Sequence, residues 1–144
     1  MIKNRKAIIV GIKSTVLSKK EKLFLNKYKP WGVILFSRNL KKFKQIQKLI
    51  TDIKSIFKDN KYPILIDQEG GKINRLNKLI DASILTAEFY GNLYKRDKKK
   101  FSNYYRVYIN QISYLLNELG ININTVPVLD VRRLKLNNII GDRS

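Results

Sequence analysis

The sequence predicts an α/β fold in which parallel strands are joined by helices that cross from one strand to the next. Four continuous apolar runs of strand length are separated by segments in which apolar residues recur every three or four positions. Continuous apolar runs are typical of strands buried on both faces, and their alternation with helices indicates a parallel sheet with right-handed crossovers. The 144 residues fit one domain, and they are fewer than the ~250 residues of a closed eight-stranded α/β barrel.

The first half of the chain alternates strand, helix, strand and helix. Residues 7–12 form the first apolar run, and Ser18 with Glu21 forms a capping-box pattern that opens a helix ending near Tyr28. Residues 32–36 form the second buried strand. An amphipathic helix follows, with apolar residues at positions 40, 43, 46, 50, 53 and 57.

The second half carries two more strands and a long helix. Residues 62–67 form a third strand that ends in a carboxylate, and the basic segment 95–100 is expected in a loop. The clearest helix has apolar residues at 101, 105, 108, 112, 115 and 119, and Gly120 supplies its C-terminal cap. Residues 121–129 form the predicted fourth strand, which leads into another carboxylate, Asp130.

The charge is large, but its composition favours a simple origin. The 30 Lys and Arg against 11 Asp and Glu give a formal charge of +19, which in itself suggests nucleic acid or an anionic membrane as a partner. Lys outnumbers Arg by 22 to 8, and Lys, Ile and Asn together supply 56 residues. All three have A/T-rich codons, so biased coding explains the profile. A basic nucleic-acid-binding protein is kept only as the weakest hypothesis, because no nucleic-acid motif accompanies the charge.

The absence of Cys and His excludes whole classes of chemistry. No disulfide, thiolate zinc site, cysteine nucleophile, Ser-His-Asp triad or imidazole acid–base step is available, and we expect no metal or cofactor. The N-terminal apolar run of about six residues is shorter than a signal-peptide core, and no stretch approaches the ~20 apolar residues of a membrane span. We therefore expect a cytoplasmic protein without a membrane partner.

Polar residues cluster just after the strands, where α/β barrels build their active sites. The densest cluster is IDQEGGKINRL at residues 66–76. Asp67 and Glu69 lie two positions apart, so on an extended chain they face one side, and two carboxylates suggest the acid–base pair of a glycosidase. The alternative is a strand end that turns at Gly70 and Gly71 and carries solvated charges. No glycine-rich phosphate loop follows any strand.

Four segments in order resemble the bacterial β-N-acetylglucosaminidases of glycoside hydrolase family 3. They are GVILFSRN at 32–39, IDQEGGKINRL at 66–76, PVLDV at 127–131 and IGDRS at 140–144. The resemblance implies the N-terminal half, about four β/α units, of a (β/α)8 TIM barrel, with residues 1–144 as one partial barrel domain. It also implies a retaining hydrolase that releases terminal N-acetylglucosamine from 1,6-anhydromuropeptides during peptidoglycan recycling.

The resemblance assigns substrate-binding roles to three residues. Asp67 matches the aspartate that hydrogen-bonds sugar hydroxyls, and Arg75 and Arg143 match two arginines that bind the same substrate. An acceptor-only carboxylate and forked guanidinium donors suit a polyhydroxylated sugar. Glu69 then resembles a structural neighbour rather than a catalytic acid, and Lys72 stands where the family often has Arg.

The resemblance also implies catalytic groups that have no matching position. The family's Lys-His segment, its loop His paired with an Asp, and its Asp nucleophile come later, and we assign no catalytic residue here. A retaining glycosidase needs a nucleophile and a proton donor, so the chain alone is expected to be inactive. We expect it to be a fragment, a truncated gene product or half of a split enzyme, and we expect a separate C-terminal half or self-association to complete the fold. A non-catalytic sugar-binding remnant is the alternative.

Overall fold

The structure is a computed structural model that describes residues 4–130 and residue 143, and its strands form one parallel sheet. The strands lie in the order β1-β2-β3-β4, and every neighbouring pair is parallel. The predicted α/β class is therefore confirmed, and within the described residues the sheet is open at β1 and at β4. In chain order the elements are β1 (Lys6–Gly11), α1 (Lys19–Tyr28), β2 (Pro30–Leu35), α2 (Phe43–Phe57), β3 (Ile64–Ile66), α3 (Ala87–Arg96), α4 (Lys98–Leu119) and β4 (Ile123–Asn124).

Helix α1 begins where the capping box predicts. The backbone N–H of Glu21 donates to the Ser18 hydroxyl (3.2 Å), and the Glu21 carboxylate accepts from the backbone N–H groups of Ser18 (2.9 Å) and Lys13 (2.8 Å). Partial burial opposes ionisation of this carboxyl, but these hydrogen bonds outweigh it and hold the pKa of Glu21 below its ordinary value. The cap thus fixes both the start of α1 and the loop after β1.

The core lies between the sheet and the helices that return across it. Helix α2 buries four side chains of its apolar stripe, and α4 buries Ile112, Leu116 and Leu119. Burial of this apolar area is the main force that holds the layers together. The sheet and α2 residues of this core are Val33, Leu35, Ile46, Leu49, Ile50, Ile53, Ile64 and Ile66, all at most 2 % exposed.

The third and fourth strands are shorter than predicted. Prolines at 63 and 127 have no N–H to give to a ladder, so β3 begins only after Pro63 and β4 cannot extend to 129. Ile121 is part of the C-terminal cap of α4 rather than of a strand, because its N–H donates to the carbonyl of Leu116 (2.9 Å). The prediction of a nine-residue fourth strand is therefore wrong.

The basic segment 95–100 is not a loop. It forms the last turn of α3 and the first turn of α4, which meet at Asp97. The Asp97 side chain accepts from the N–H of Lys100 (2.9 Å) and so caps α4. A single residue in extended backbone therefore separates the two helices. The Lys-rich composition of this segment did not predict that it is helical.

Candidate functional site

The carboxyl ends of the strands meet at one edge of the sheet, as parallel pairing requires. The residues that follow β2, β3 and β4 at this edge are Phe36, Asp67 and Thr125. The Thr125 hydroxyl donates to the Asp67 carboxylate, and its backbone N–H donates to the carbonyl of Ile66 (2.9 Å). Asp67 is thus held at the strand ends by a residue from the neighbouring strand.

A buried glutamine shapes the loop that follows Asp67. Gln68 is 2 % exposed, its side-chain N–H donates to the Asn74 side chain (3.0 Å), and its side-chain oxygen accepts from the N–H of Leu76 (3.0 Å). Its own backbone N–H donates to the Asn124 side chain (3.0 Å). These bonds fold residues 68–76 back on themselves and bring Arg75 to Asp67.

The loop turns at a glycine that no other residue can replace without strain. Gly70 has a φ of +90°, which L residues with a side chain rarely adopt. A Cβ at this position would also lie 2.2 Å from the carbonyl oxygen of Leu85. The Gly-Gly pair predicted as a turn from the sequence is therefore a required part of the site.

Asp67 and Arg75 are adjacent but loosely paired. The Arg75 Nη2 lies 3.5 Å from the Asp67 Oδ2, and the two side chains remain 24 % and 27 % exposed. A separation of 3.5 Å is at the outer limit of a hydrogen bond. The Nε of Arg75 is buried without a hydrogen-bond partner among the described residues. Because the Asp67–Arg75 contact is long and both side chains are partly exposed, both groups can also hydrogen-bond a ligand.

An aromatic ring supports two arginines at the same edge. The guanidinium carbon of Arg75 lies 5.3 Å from the centre of the Phe36 ring, and that of Arg38 lies 4.6 Å from it. Such cation–π contacts orient a guanidinium without occupying its N–H donors. The neighbouring Asn39 is fully buried, and its side chain donates to the carbonyls of Ile12 (3.2 Å) and Ser14 (2.8 Å), so its role is structural.

Glu69 does not pair with Asp67 but with Arg143. The Arg143 Nε and Nη2 each lie 2.8 Å from a Glu69 carboxylate oxygen, a bidentate arrangement. This hydrogen bond raises the pKa of Arg143 above its ordinary value, and the charges of Asp130 and Asp67 add to the effect. The carboxylate-pair hypothesis is therefore not supported, because each acid has its own arginine.

The three residues assigned to substrate binding thus fall into two contacts. Asp67 contacts Arg75, and Arg143 contacts Glu69. Their binding of substrate stays a prediction. Sequence reasoning placed polar groups after β2 but did not assign Phe36 or Arg38 to the site. The continuous apolar run 32–36 offers no sign that the aromatic ring at its end contacts two cations.

An apolar cavity of about 530 Å³ lies beside the Glu69–Arg143 pair, between residues 68–72 and the α3–α4 hairpin. Tyr90 lies at its wall, and burial raises the pKa of this phenol to about 12. The other aromatic residues of the cavity wall are Tyr94, Phe101, Tyr105 and Tyr108.

The described residues contain no cluster of three acidic side chains that could hold a metal ion, and none of the described helices is long and apolar enough to cross a membrane.

A parallel α/β sheet with carboxylates and arginines at its carboxyl edge has the arrangement in which α/β barrels place a site for a polar ligand. The chain belongs to glycosyl hydrolase family 3: the N-terminal domain of that family matches residues 6–144.

Curated relatives agree with this assignment. The chain is 31 % identical over an alignment of 147 positions to a β-hexosaminidase of Alkalilimnicola ehrlichii, and 28 % identical over an alignment of 137 positions to one of Xanthomonas campestris. Each alignment includes 95 % of this chain but only 38 % of the first relative and 40 % of the second. The chain therefore spans about two fifths of the length of these relatives.

Solved structures show the same fold. NagZ from Neisseria gonorrhoeae, crystallised with N-trifluoroacetyl-D-glucosamine, superposes with a TM-score of 0.76 at 24 % identity, over 97 % of this chain and 41 % of that one. A family 3 β-N-acetylglucosaminidase from Paenibacillus superposes with a TM-score of 0.71 at 26 % identity, over 94 % and 25 %. The chain thus has the fold of the corresponding part of these enzymes.

Proposed function

We propose that this chain forms the saccharide-binding part of a β-N-acetylhexosaminidase, and that Asp67, Arg75 and Arg143 bind a terminal N-acetylglucosamine. The observation that carries the proposal is the loose Asp67–Arg75 contact at the carboxyl edge of the sheet. The carboxylate accepts hydrogen bonds from sugar hydroxyls, and the guanidinium donates to sugar oxygens. Family membership and relatives named as β-hexosaminidases support this assignment. The wider role that we propose is peptidoglycan recycling in the cytoplasm, on muropeptides.

We further propose that the 144-residue chain binds sugar without hydrolysing it. A retaining glycosidase needs a carboxylate nucleophile and a proton donor at defined separation. The two acids at the strand ends each contact an arginine, and the sequence contains no His. Within the described residues the sheet is open at β1 and β4, and these edges are where a C-terminal half or a second copy would complete the fold.

Titration of N-acetylglucosamine into the chain, followed by heteronuclear NMR, tests the binding proposal. Asp67→Asn is expected to weaken binding by about tenfold or more, because it removes a charged acceptor. Asp52→Asn makes the same chemical change on α2, where the carboxylate pairs with Lys48, and should leave affinity unchanged. Equal affinity of the wild type and Asp67→Asn would contradict the assignment.

A chromogenic N-acetyl-β-D-glucosaminide tests the catalytic half of the proposal. We expect no hydrolysis above background by the folded 144-residue chain at concentrations where NMR shows sugar binding. Turnover that Asp67→Asn abolishes would show that the chain is catalytic by itself. This result would contradict the proposal that the chain binds sugar without hydrolysing it, but it would support the sugar site.

A further inference from the structure

Helix α1 packs on the rest of the described chain through one side and leaves the opposite side exposed. Leu25 is its only buried residue, whereas Leu23, two positions earlier, is 70 % exposed. Two positions correspond to about 200° around an α-helix, so Leu23 points away from the core. A strand added at the open β1 edge would lie beside β1 and would not cover this outer side of α1.

Lysines surround this exposed leucine on the surface of α1. Lys19 and Lys27 lie four positions before and after Leu23. Lys20 lies three positions before it, so all three exposed lysines share its side of the helix. They form no ion pair with any described residue. The only acidic residue of α1 is Glu21, and its carboxylate already accepts hydrogen bonds from backbone N–H groups at the start of the helix.

The start of α2 adds three more exposed lysines at the edge of this surface. The Gln45 side chain of α2 donates to the carbonyl of Thr15 (2.8 Å), in the loop that leads into α1. The lysines that precede Gln45 therefore lie next to this loop, where the neighbouring Val16 is also exposed. We call the following set the basic face: Val16, Lys19, Lys20, Leu23, Lys27, Lys41, Lys42 and Lys44.

The stability of the fold does not account for these lysines. Most of them lie at the N-terminal ends of α1 and α2, where the helix dipole disfavours cations. Residues 1–51 include 14 basic residues and one acidic residue, whereas residues 52–144 include 16 and 10. Biased coding acts along the whole chain, so it does not explain why acidic residues are scarce in one part of it. A charge asymmetry of this kind is typical of a surface that binds an anionic partner.

We propose that the basic face docks on an anionic lipid bilayer, with its lysines at the acidic headgroups and Leu23 in the apolar boundary beneath them. An exposed leucine among lysines is the pattern of a helix that lies in a membrane interface. The Phe24 and Tyr28 rings, 4.9 Å apart on α1, add aromatic side chains of the kind that such interfaces favour. Nucleic acid would also attract the lysines, but its phosphate backbone offers no apolar environment for Leu23.

This docking surface goes beyond the proposed sugar site, and it revises the expectation of no membrane partner. That expectation followed from the absence of an apolar stretch long enough to span a bilayer, whereas a helix that lies in the interface needs none. No hydrogen bond or ion pair among the described residues joins the basic face to Asp67 or Arg75, so docking and sugar binding are tested separately.

Cosedimentation of the 144-residue chain with lipid vesicles tests the inference. At about 0.1 M salt, partitioning into phosphatidylcholine vesicles that contain about one third phosphatidylglycerol should be at least about tenfold stronger than into phosphatidylcholine alone. The double variant Lys19→Gln/Lys27→Gln should weaken partitioning into the anionic vesicles by about tenfold or more, because each lysine contributes about fivefold. Lys95→Gln/Lys99→Gln removes the same charge from exposed positions of α3 and α4, and should weaken it by less than about threefold.

Leu23→Gln separates insertion into the bilayer from attraction between charges. It should weaken partitioning into the anionic vesicles by about fivefold or more, because an inserted leucine side chain leaves water. Val107→Gln removes an exposed apolar side chain from α4 and should leave partitioning unchanged. All of the substituted side chains are exposed, and far-ultraviolet circular dichroism confirms that the variants are folded.

The following results would overturn the inference. Equal partitioning into neutral and anionic vesicles would show that the lysines do not bind acidic headgroups. Equal losses from the two lysine pairs would show that overall charge, and not the basic face, causes the binding. Unchanged partitioning of Leu23→Gln would exclude insertion, and tighter binding to a mixed-sequence DNA duplex than to the anionic vesicles would make nucleic acid the partner.

Discussion

Two arginine–aromatic clusters lie at opposite ends of the same sheet, and they differ in the length of the ion pair and in the exposure of its arginine. At the amino ends, Arg5 contacts Asp59 (Nη2 to Oδ2, 2.6 Å) and its guanidinium lies over the Tyr62 ring (4.7 Å). The Phe57 ring stacks on Tyr62, with centroids 3.9 Å apart. We call Arg5, Phe57, Asp59 and Tyr62 the amino-end cluster.

The carboxyl-end cluster consists of Phe36, Arg38, Asp67 and Arg75. Its ion pair is 3.5 Å long, and one of its arginines has no acidic partner among the described residues. Arg5 is 12 % exposed at the amino end, whereas Arg75 is 24 % exposed. The same residue types therefore stabilise the fold where they are closed on one another, and remain available to a ligand where they are left loosely paired.

The largest effect that would separate the two clusters is expected from Tyr62→Ala. Tyr62 is fully buried, and its hydroxyl donates to the carbonyl of Pro30 (2.9 Å). Loss of a buried aromatic side chain costs about 3–5 kcal/mol in the free energy of unfolding, which urea denaturation followed by fluorescence of the single Trp measures. N-acetylglucosamine affinity of the folded fraction should stay within about twofold of the wild type, because the change is at the opposite end of the sheet.

Tyr62→Phe is the matched control, because it keeps the ring and removes only the hydroxyl. It should cost about 1–3 kcal/mol, the penalty of leaving the buried Pro30 carbonyl without its donor. A Tyr62→Ala chain that loses less than this control, or that loses sugar affinity while folded, would show that the amino-end cluster does not act as a stabilising unit.

The next effect tests the carboxyl-end cluster through its ring. Phe36→Leu removes the π-face on which Arg38 and Arg75 lie, and each such contact is worth about 0.5–1 kcal/mol at an exposed site. We expect sugar affinity to fall by about three- to tenfold, with a loss of unfolding free energy of no more than about 2 kcal/mol. Phe57→Leu makes the same substitution at the amino end and should lower stability while leaving affinity unchanged. The reverse pattern would exchange the roles of the two clusters.

Local patterns in the sequence predicted much of the fold. The Ser18–Glu21 capping box begins α1, and the predicted cap of α4 is Gly120, whose φ of +89° requires a residue without a side chain. The apolar stripe of α2 also faces the core as its spacing predicts. These predictions succeed because each feature depends on residues that are at most about four positions apart in the sequence.

The remaining features depend on contacts between distant residues. The side-chain oxygens of Asn122 and Asn124 accept hydrogen bonds from the backbone N–H groups of Ile64 (2.8 Å) and Gln68 (3.0 Å), respectively. These side chains therefore replace part of the hydrogen bonding between the strands. Glu69 and Arg143 are 74 positions apart, and no spacing rule connects them. Spacing alone grouped Glu69 with Asp67, whereas in the folded chain the two carboxylates pair with different arginines.

The smallest expected effect is a pH dependence at the amino-end cluster. The hydrogen bond from the Arg5 guanidinium, with a second from the Lys61 backbone N–H, holds the pKa of Asp59 below its ordinary value. Because the folded pKa is the lower one, the carboxylate's stabilising contribution is present above the unfolded pKa of about 4 and is lost as the pH falls through the folded pKa. Asp59→Asn should therefore be less stable than the wild type at pH 7, and the difference should shrink at pH 3 and in high salt.

Asp67→Asn, measured in parallel, should change affinity much more than unfolding free energy. A deficit for Asp59→Asn that is as large at pH 3 as at pH 7 would mean that packing, not the ion pair, makes the amino-end cluster stabilising.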